Sequence, residues 1–273
     1  MIAWVKCMKV LLYFIDKPSP QDQKVLPNPP PPSDLHIREK AVITFTASYI
    51  DRYLPFRQHA PTMRKVTAHL ESLGANADVW LKSPVGLWNM VVVRTITIGT
   101  GFLFDYGCGF RNSDHLFQVK REAEDAGHAG HTEKSYFCNT TIYGNSAGHN
   151  INLAKDLWDA VSDSSLSLPW YGLLPGAKPS FKAMFDFFSA HWQDGKRVFS
   201  QCGELASLLL AGDYAHTGIC NFATVQEMGI IIRKVNAGAI SGLRVLGLLP
   251  PMPNHAKKPP APPEGELQMA WSS

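Results

Sequence analysis

The sequence predicts a mainly α protein: a helical bundle in its C-terminal half, an irregular first half with a short β element, and proline-rich segments at both ends. Three observations lead there. Apolar residues past position 150 recur every three or four positions, the period of a helix face. A single β-branched run, Met90 to Ile98, stands out as strand-like. Prolines crowd Lys17 to Asp34 and Pro250 to Pro263, where a missing amide hydrogen and a fixed φ bar both helix and sheet. The organisation that follows is an N-terminal segment with a proline-rich linker (1–34), a folded body (35–249) and a proline-rich tail (250–273). Within the body, 35–149 is an irregular α+β part and 150–249 the bundle.

Taken in order, Ser33 or Asp34 would cap a helix passing through Ala41 to Leu54. Pro61 suits the first turn of the next helix, Met63, Val66, Leu70 and Leu73 give its face, and Gly74 suits its end. Met90 to Ile98 (MVVVRTITI) then forms the β element, followed by a glycine-rich turn from Gly99 to Gly109. Asp114 to Ala126 makes a short helix stopped by Gly127. Asn150 to Val161 sets Leu153, Leu157, Trp158 and Val161 on one face. Phe181, Met184, Phe185, Phe188 and Trp192 form a second stripe, and Cys202, Leu205, Ala206 and Leu209 a third, ended near Gly212. Thr224 and Glu227 have the spacing of a capping box, opening a long helix from Val225 to Leu246.

The bulk numbers exclude more than they assign. A chain of 273 residues with 45% hydrophobic and 18% charged residues has enough apolar surface for a core without disulfides or metal. Lys and Arg total 26 against 23 acids. An excess of three charges makes no field that argues for nucleic acid or an anionic membrane. Five widely spaced cysteines, with no C-x-x-C, read as reduced thiols. The first twenty residues lack the apolar length and cleavage site of a signal peptide, and Arg94 interrupts the most apolar window. The expectation is a soluble, intracellular protein, cytoplasmic or nuclear, needing no cofactor.

Three motifs carry possible chemistry. Gly144-Asn145-Ser146-Ala147-Gly148 fits G-x-S-x-G, in which flanking glycines allow the strained turn that exposes a nucleophilic serine. A glycine-rich loop accounts for the same letters. Cys108, His115, His128, His131 and Cys138 fall in one polar stretch with residue types that zinc accepts, but at spacings of no common finger or ribbon, so solvated loop histidines explain them as well. Lys257 to Pro263 (KKPPAPP) places a basic residue before P-x-x-P, the form of a ligand for an SH3 or WW-type domain; a solubilising linker would read the same.

Two resemblances bear on these motifs. GNSAGHNINLA is similar to the GDSAGGNLA signature of hormone-sensitive-lipase-like α/β hydrolases, which implies Ser146 as nucleophile and the Ala147 amide in the oxyanion hole. No H-G-G-G stretch precedes it, and the hundred residues that follow read as helix, with Asp213 and His216 in the right chain order for an acid and a base. The second covers Asp156 to Pro250: LWDAVSDSSLSLPWYGLLPGAKPSFKAMFDFF, GELASLLLAGDYAHTGI and EMGIIIRKVNAGAISGLRVLGLLP resemble a group of uncharacterised helical proteins of mushroom-type fungi. That resemblance implies a helical fold and no reaction. The expectation is therefore a non-enzymatic helical scaffold or interaction protein, with a serine hydrolase acting through Ser146 as the alternative.

Overall fold

The structure, a computed structural model, describes residues 61–128, 136–139, 151–162, 170, 172–174, 176–193 and 196–235. The expected helix over 41–54, both proline-rich ends, Ser146, His131 and the part of the last helix beyond Val235 lie outside these residues. What is described is mainly α-helical.

Helix α1 spans Pro61–Leu73 and stops where Gly74 turns to φ +53°, as the proline and glycine require. A 3₁₀ turn, Gly74–Asn76, leads into α2, Ala77–Lys82. Helix α3, Pro84–Val92, opens with Pro84 in its first turn, and the Ser83 hydroxyl accepts from the Gly86 amide at 3.1 Å.

The expected strand over Met90 to Ile98 is not one. Met90 to Val92 complete α3, and Val93–Thr97 continue it as a π-helical turn. Every residue from Gly86 to Ile98 is buried. A strand enclosed on all sides needs neighbouring strands to satisfy its amides and carbonyls, whereas a helix satisfies them internally. With no partner strand beside it among the described residues, this run is helical despite its branched side chains, whose cost is a few tenths of a kcal/mol each.

Helix α4, Gly101–Tyr106, and α5, Ser113–Ala123, are capped by the side chains of Thr100 and Asn112, which accept from Leu103 N and His115 N. A π turn, Glu124–His128, closes α5, with Gly127 at φ +104°. Helix α6 is Leu153–Ser162, with Leu157 and Val161 buried as their spacing predicts. Helix α7, Phe181–Ala190, is capped by Ser180 and buries Phe181, Met184, Phe185 and Phe188. Trp192 leaves that stripe: it begins a two-residue antiparallel pair, β1 (Trp192–Gln193) with β2 (Lys196–Arg197), and is 60% exposed. Helix α8, Glu204–His216, runs straight through Gly212, and its buried residues are Ala206, Ser207, Leu210, Ala211, Tyr214 and Ala215 rather than the expected Leu205 and Leu209. Helix α9 is Val225–Val235, and its capping box forms as predicted: Thr224 N–H donates to Glu227 Oε2 at 2.9 Å, and Glu227 N–H to Thr224 Oγ1 at 3.2 Å.

Helix α8 is packed by α7, α9 and the π turn after α3, while α3 lies against α6. A single apolar core runs from Met63 on α1 to Ile231 on α9, joining both parts of the described body. Two tryptophans stitch it. Trp88 Nε1 donates to Ala154 O at 2.8 Å, and Trp170 Nε1 to Lys82 O at 2.7 Å. Trp170 also sits 5.1 Å from Phe187 and 5.4 Å from Tyr214, ring to ring. Among the described residues no helix is long and apolar enough to cross a membrane.

Candidate functional site

Among the described residues, those singled out as metal ligands do not come together. Ser146 and His131 lie outside the described residues. Cys108 sits half-buried in the loop before α5, and burial pushes its thiol up to about 12, so it is protonated at neutral pH. Cys138 is buried against the core. His115 Nδ1 accepts from the Arg111 amide at 3.2 Å, and the His128 ring stacks on Tyr136 at 3.9 Å. Among the described residues no three His, Cys, Asp or Glu side chains come together to hold a metal. Asn139 opens Asn139-Thr140-Thr141, a match to the N-x-[ST] glycosylation acceptor, and its side-chain amide donates to Ile98 O at 2.8 Å. Asp213 is occupied as well: its carboxylate takes a two-pronged bond from the buried Arg94 guanidinium, with Nε to Oδ2 at 2.8 Å and Nη2 to Oδ1. His216, on the same helix, packs edge-on against Phe222.

One surface groove is built around Trp80. Two glycines create it. A Cβ on Gly86 would fall 1.9 Å from Trp80 O, and one on Gly109 would fall 2.3 Å from the His69 ring, so α3 and the loop before α5 close onto α2 and α1 only because both positions lack a side chain. Gly109 also sits at φ +100°, which glycine alone adopts readily. His69 packs edge-on against Trp80 at 4.9 Å, and burial holds its pKa below the usual histidine value.

Asn89 fixes the far wall. It is 1% exposed and uses its whole amide. Nδ2 donates to Val85 O and Phe110 O at 2.8 and 2.7 Å, and Oδ1 accepts from Gly109 N and Phe110 N at 3.1 and 3.0 Å. That clamp presents Phe110 and Arg111 to one side of a groove of about 480 Å³ whose other walls include Leu73, Val79, Trp80 and Val85. Val79 is 68% exposed. Arg111 also borders a second, polar groove of about 420 Å³ along α5, lined by Asn112, Asp114, His115, Gln118 and Arg121. The two therefore share one wall. One half offers aromatic and aliphatic surface; the other carries two arginines and a histidine against one acid.

None of this was visible in the sequence, where Asn89 and Gly86 sit inside an apolar run and Gly109 inside a glycine-rich turn. The nearest signal was the run of glycines between two apolar stretches, which marks a close backbone approach without saying to what. No family model, curated protein or solved structure matches the chain significantly, so the groove's chemistry stands on its own residues.

Proposed function

We propose that the protein is a non-enzymatic helical scaffold or interaction protein, its helices beyond residue 150 forming one bundle, and that its Lys257–Pro263 segment is a ligand for SH3 or WW-type domains. The observation that carries the reading is the groove at Trp80 and Arg111, an open surface that is apolar on one side and basic on the other. The buried polar groups nearby support it. Asn89, Arg94 and Asp213 bond one another or the backbone, which is the use of a structural group rather than of a reactive one.

The serine-hydrolase alternative rests on the Gly144–Gly148 motif. An α/β hydrolase sets its serine at the end of a strand in a parallel sheet. Among the described residues the one sheet is the two-residue antiparallel pair of β1 and β2. A fluorophosphonate probe decides between the readings. The purified chain is expected to remain unlabelled; labelling that disappears in Ser146→Ala would make it a hydrolase. The docking claim is checked by titrating an SH3 or WW domain into a peptide of residues 255–266, where binding lost in a P260A/P263A peptide is the expected result.

A further inference from the structure

The composite groove sets specific demands on a ligand. Its apolar half presents Val79 and Trp80 over the buried Phe110, and the Trp80 indole N–H has no acceptor among the described residues. Its polar half, beyond Arg111, presents His115 and Arg121, with Asp114 the one acid. A fitting ligand is a pre-extended apolar stretch, rich in carbonyl acceptors and followed within a few residues by carboxylates. A polyproline helix meets the first requirement. Its rings pack on aromatic faces, its carbonyls accept from an indole, and it loses little entropy on docking.

The chain carries such a segment. Pro259-Pro260-Ala261-Pro262-Pro263 is followed by Glu264-Gly265-Glu266, which sets two carboxylates beside four prolines. The N-terminal run Pro29 to Pro32 is followed by Asp34 alone before Leu35, and matches the two arginines less well. Val235 is the last described residue before this segment, 24 positions ahead of Pro259. We propose that the groove is a binding site for proline-rich segments that end in acidic residues, and that residues 259–266 of the same chain occupy it. The prolines held there are those Lys257–Pro263 would offer to an external domain, so the groove controls their availability. This docking rests on the groove that carries the scaffold reading and goes beyond that reading by naming the groove's occupant.

The test uses a fluorescein-labelled peptide of residues 257–268 and three full-length chains: the unaltered chain, E264K/E266K, and E264K/E266K/R111E/R121E. Arg111 and Arg121 are exposed, and unchanged circular dichroism checks that the fold survives their replacement. Anisotropy is expected to show the peptide binding E264K/E266K at least about tenfold more tightly than the unaltered chain, because a tethered competitor at roughly millimolar effective concentration has been weakened. The additional arginine replacements are expected to abolish that binding. Equal binding to the first two chains, binding to neither, or binding that survives R111E/R121E overturns the proposal. A concentration-dependent dimer of the unaltered chain that E264K/E266K dissolves would place the tail in a second copy's groove and overturn the intramolecular assignment. Fluorophosphonate labelling would leave all these outcomes unchanged, so the two readings fail separately.

Discussion

Asn89 makes four hydrogen bonds, two given and two received, and three of them join α3 to the loop before α5. Asn89→Ala would strand two amides and a carbonyl in a dry site, so a loss of about 3 kcal/mol is expected, read as a fall in the urea midpoint. Arg94 and Asp213 make the same point for charge. Breaking a buried pair leaves an ion without compensation, and Arg94→Leu alone is expected to destabilise by about 3–5 kcal/mol. In a double-mutant cycle, R94L/D213L should lose less than the sum of the two single variants, because no charge is then left alone. His69 adds a pH dependence. Its folded pKa lies below its unfolded value because burial disfavours the imidazolium. The unfolded chain therefore binds the proton more readily, and the contribution of neutral His69 is full above about pH 6.5 and declines as pH falls through the unfolded pKa toward the folded one. Urea midpoints measured from about pH 7.5 to about pH 5.5 should fall less steeply in His69→Gln than in the unaltered chain. His191 is shifted in the same direction for the same reason and contributes its own part of the slope.

At the scale of elements, caps and glycines fix boundaries. The Thr224–Glu227 box starts α9, and Glu227 Oε1 also accepts from the Lys182 amide at 3.0 Å, tying the first turn of α7 to that of α9. Burial would raise the Glu227 carboxyl, but bonds from the Thr224 and Lys182 amides outweigh it and hold the pKa below its usual value. Thr224→Ala is expected to cost about 1 kcal/mol by thermal melting. Gly86 is the stricter position. Gly86→Ala drives a methyl into the Trp80 carbonyl, and α2 and α3 must separate, an overpacking cost of about 1–3 kcal/mol. The same separation would widen the groove at Trp80, so a change in tryptophan fluorescence should accompany the loss of stability.

For the molecule as a whole, the continuity of the core is the governing fact. Residues from α1 to α9 share one apolar cluster, and Trp88 and Trp170 bond across long stretches of sequence. Tryptophan fluorescence and far-ultraviolet circular dichroism are therefore expected to report one coincident urea transition; two separated transitions would show that the parts before and after residue 150 unfold independently. Their joint core also explains why the sequence reading of the first part was the weaker one. Helices α6 and α7 each bury one stripe and could be read from spacing, whereas α3 is buried all round and has no polar face to reveal its period.

The sequence by itself determined that the described part beyond residue 150 is mainly helical, where α1, α6 and α7 lie, and how α9 begins, because amphipathic stripes, a first-turn proline and a capping box act within a few residues of one another. Only the tertiary structure decided that Val91 to Thr97 is helix, that Leu205 faces water while Tyr214 is buried, that Arg94 meets Asp213, and that Gly86, Asn89 and Gly109 shape a groove around Trp80. The Asn89 and Arg94 contacts reach partners 20 to 119 positions away, and no local period encodes which distant surface a residue will meet.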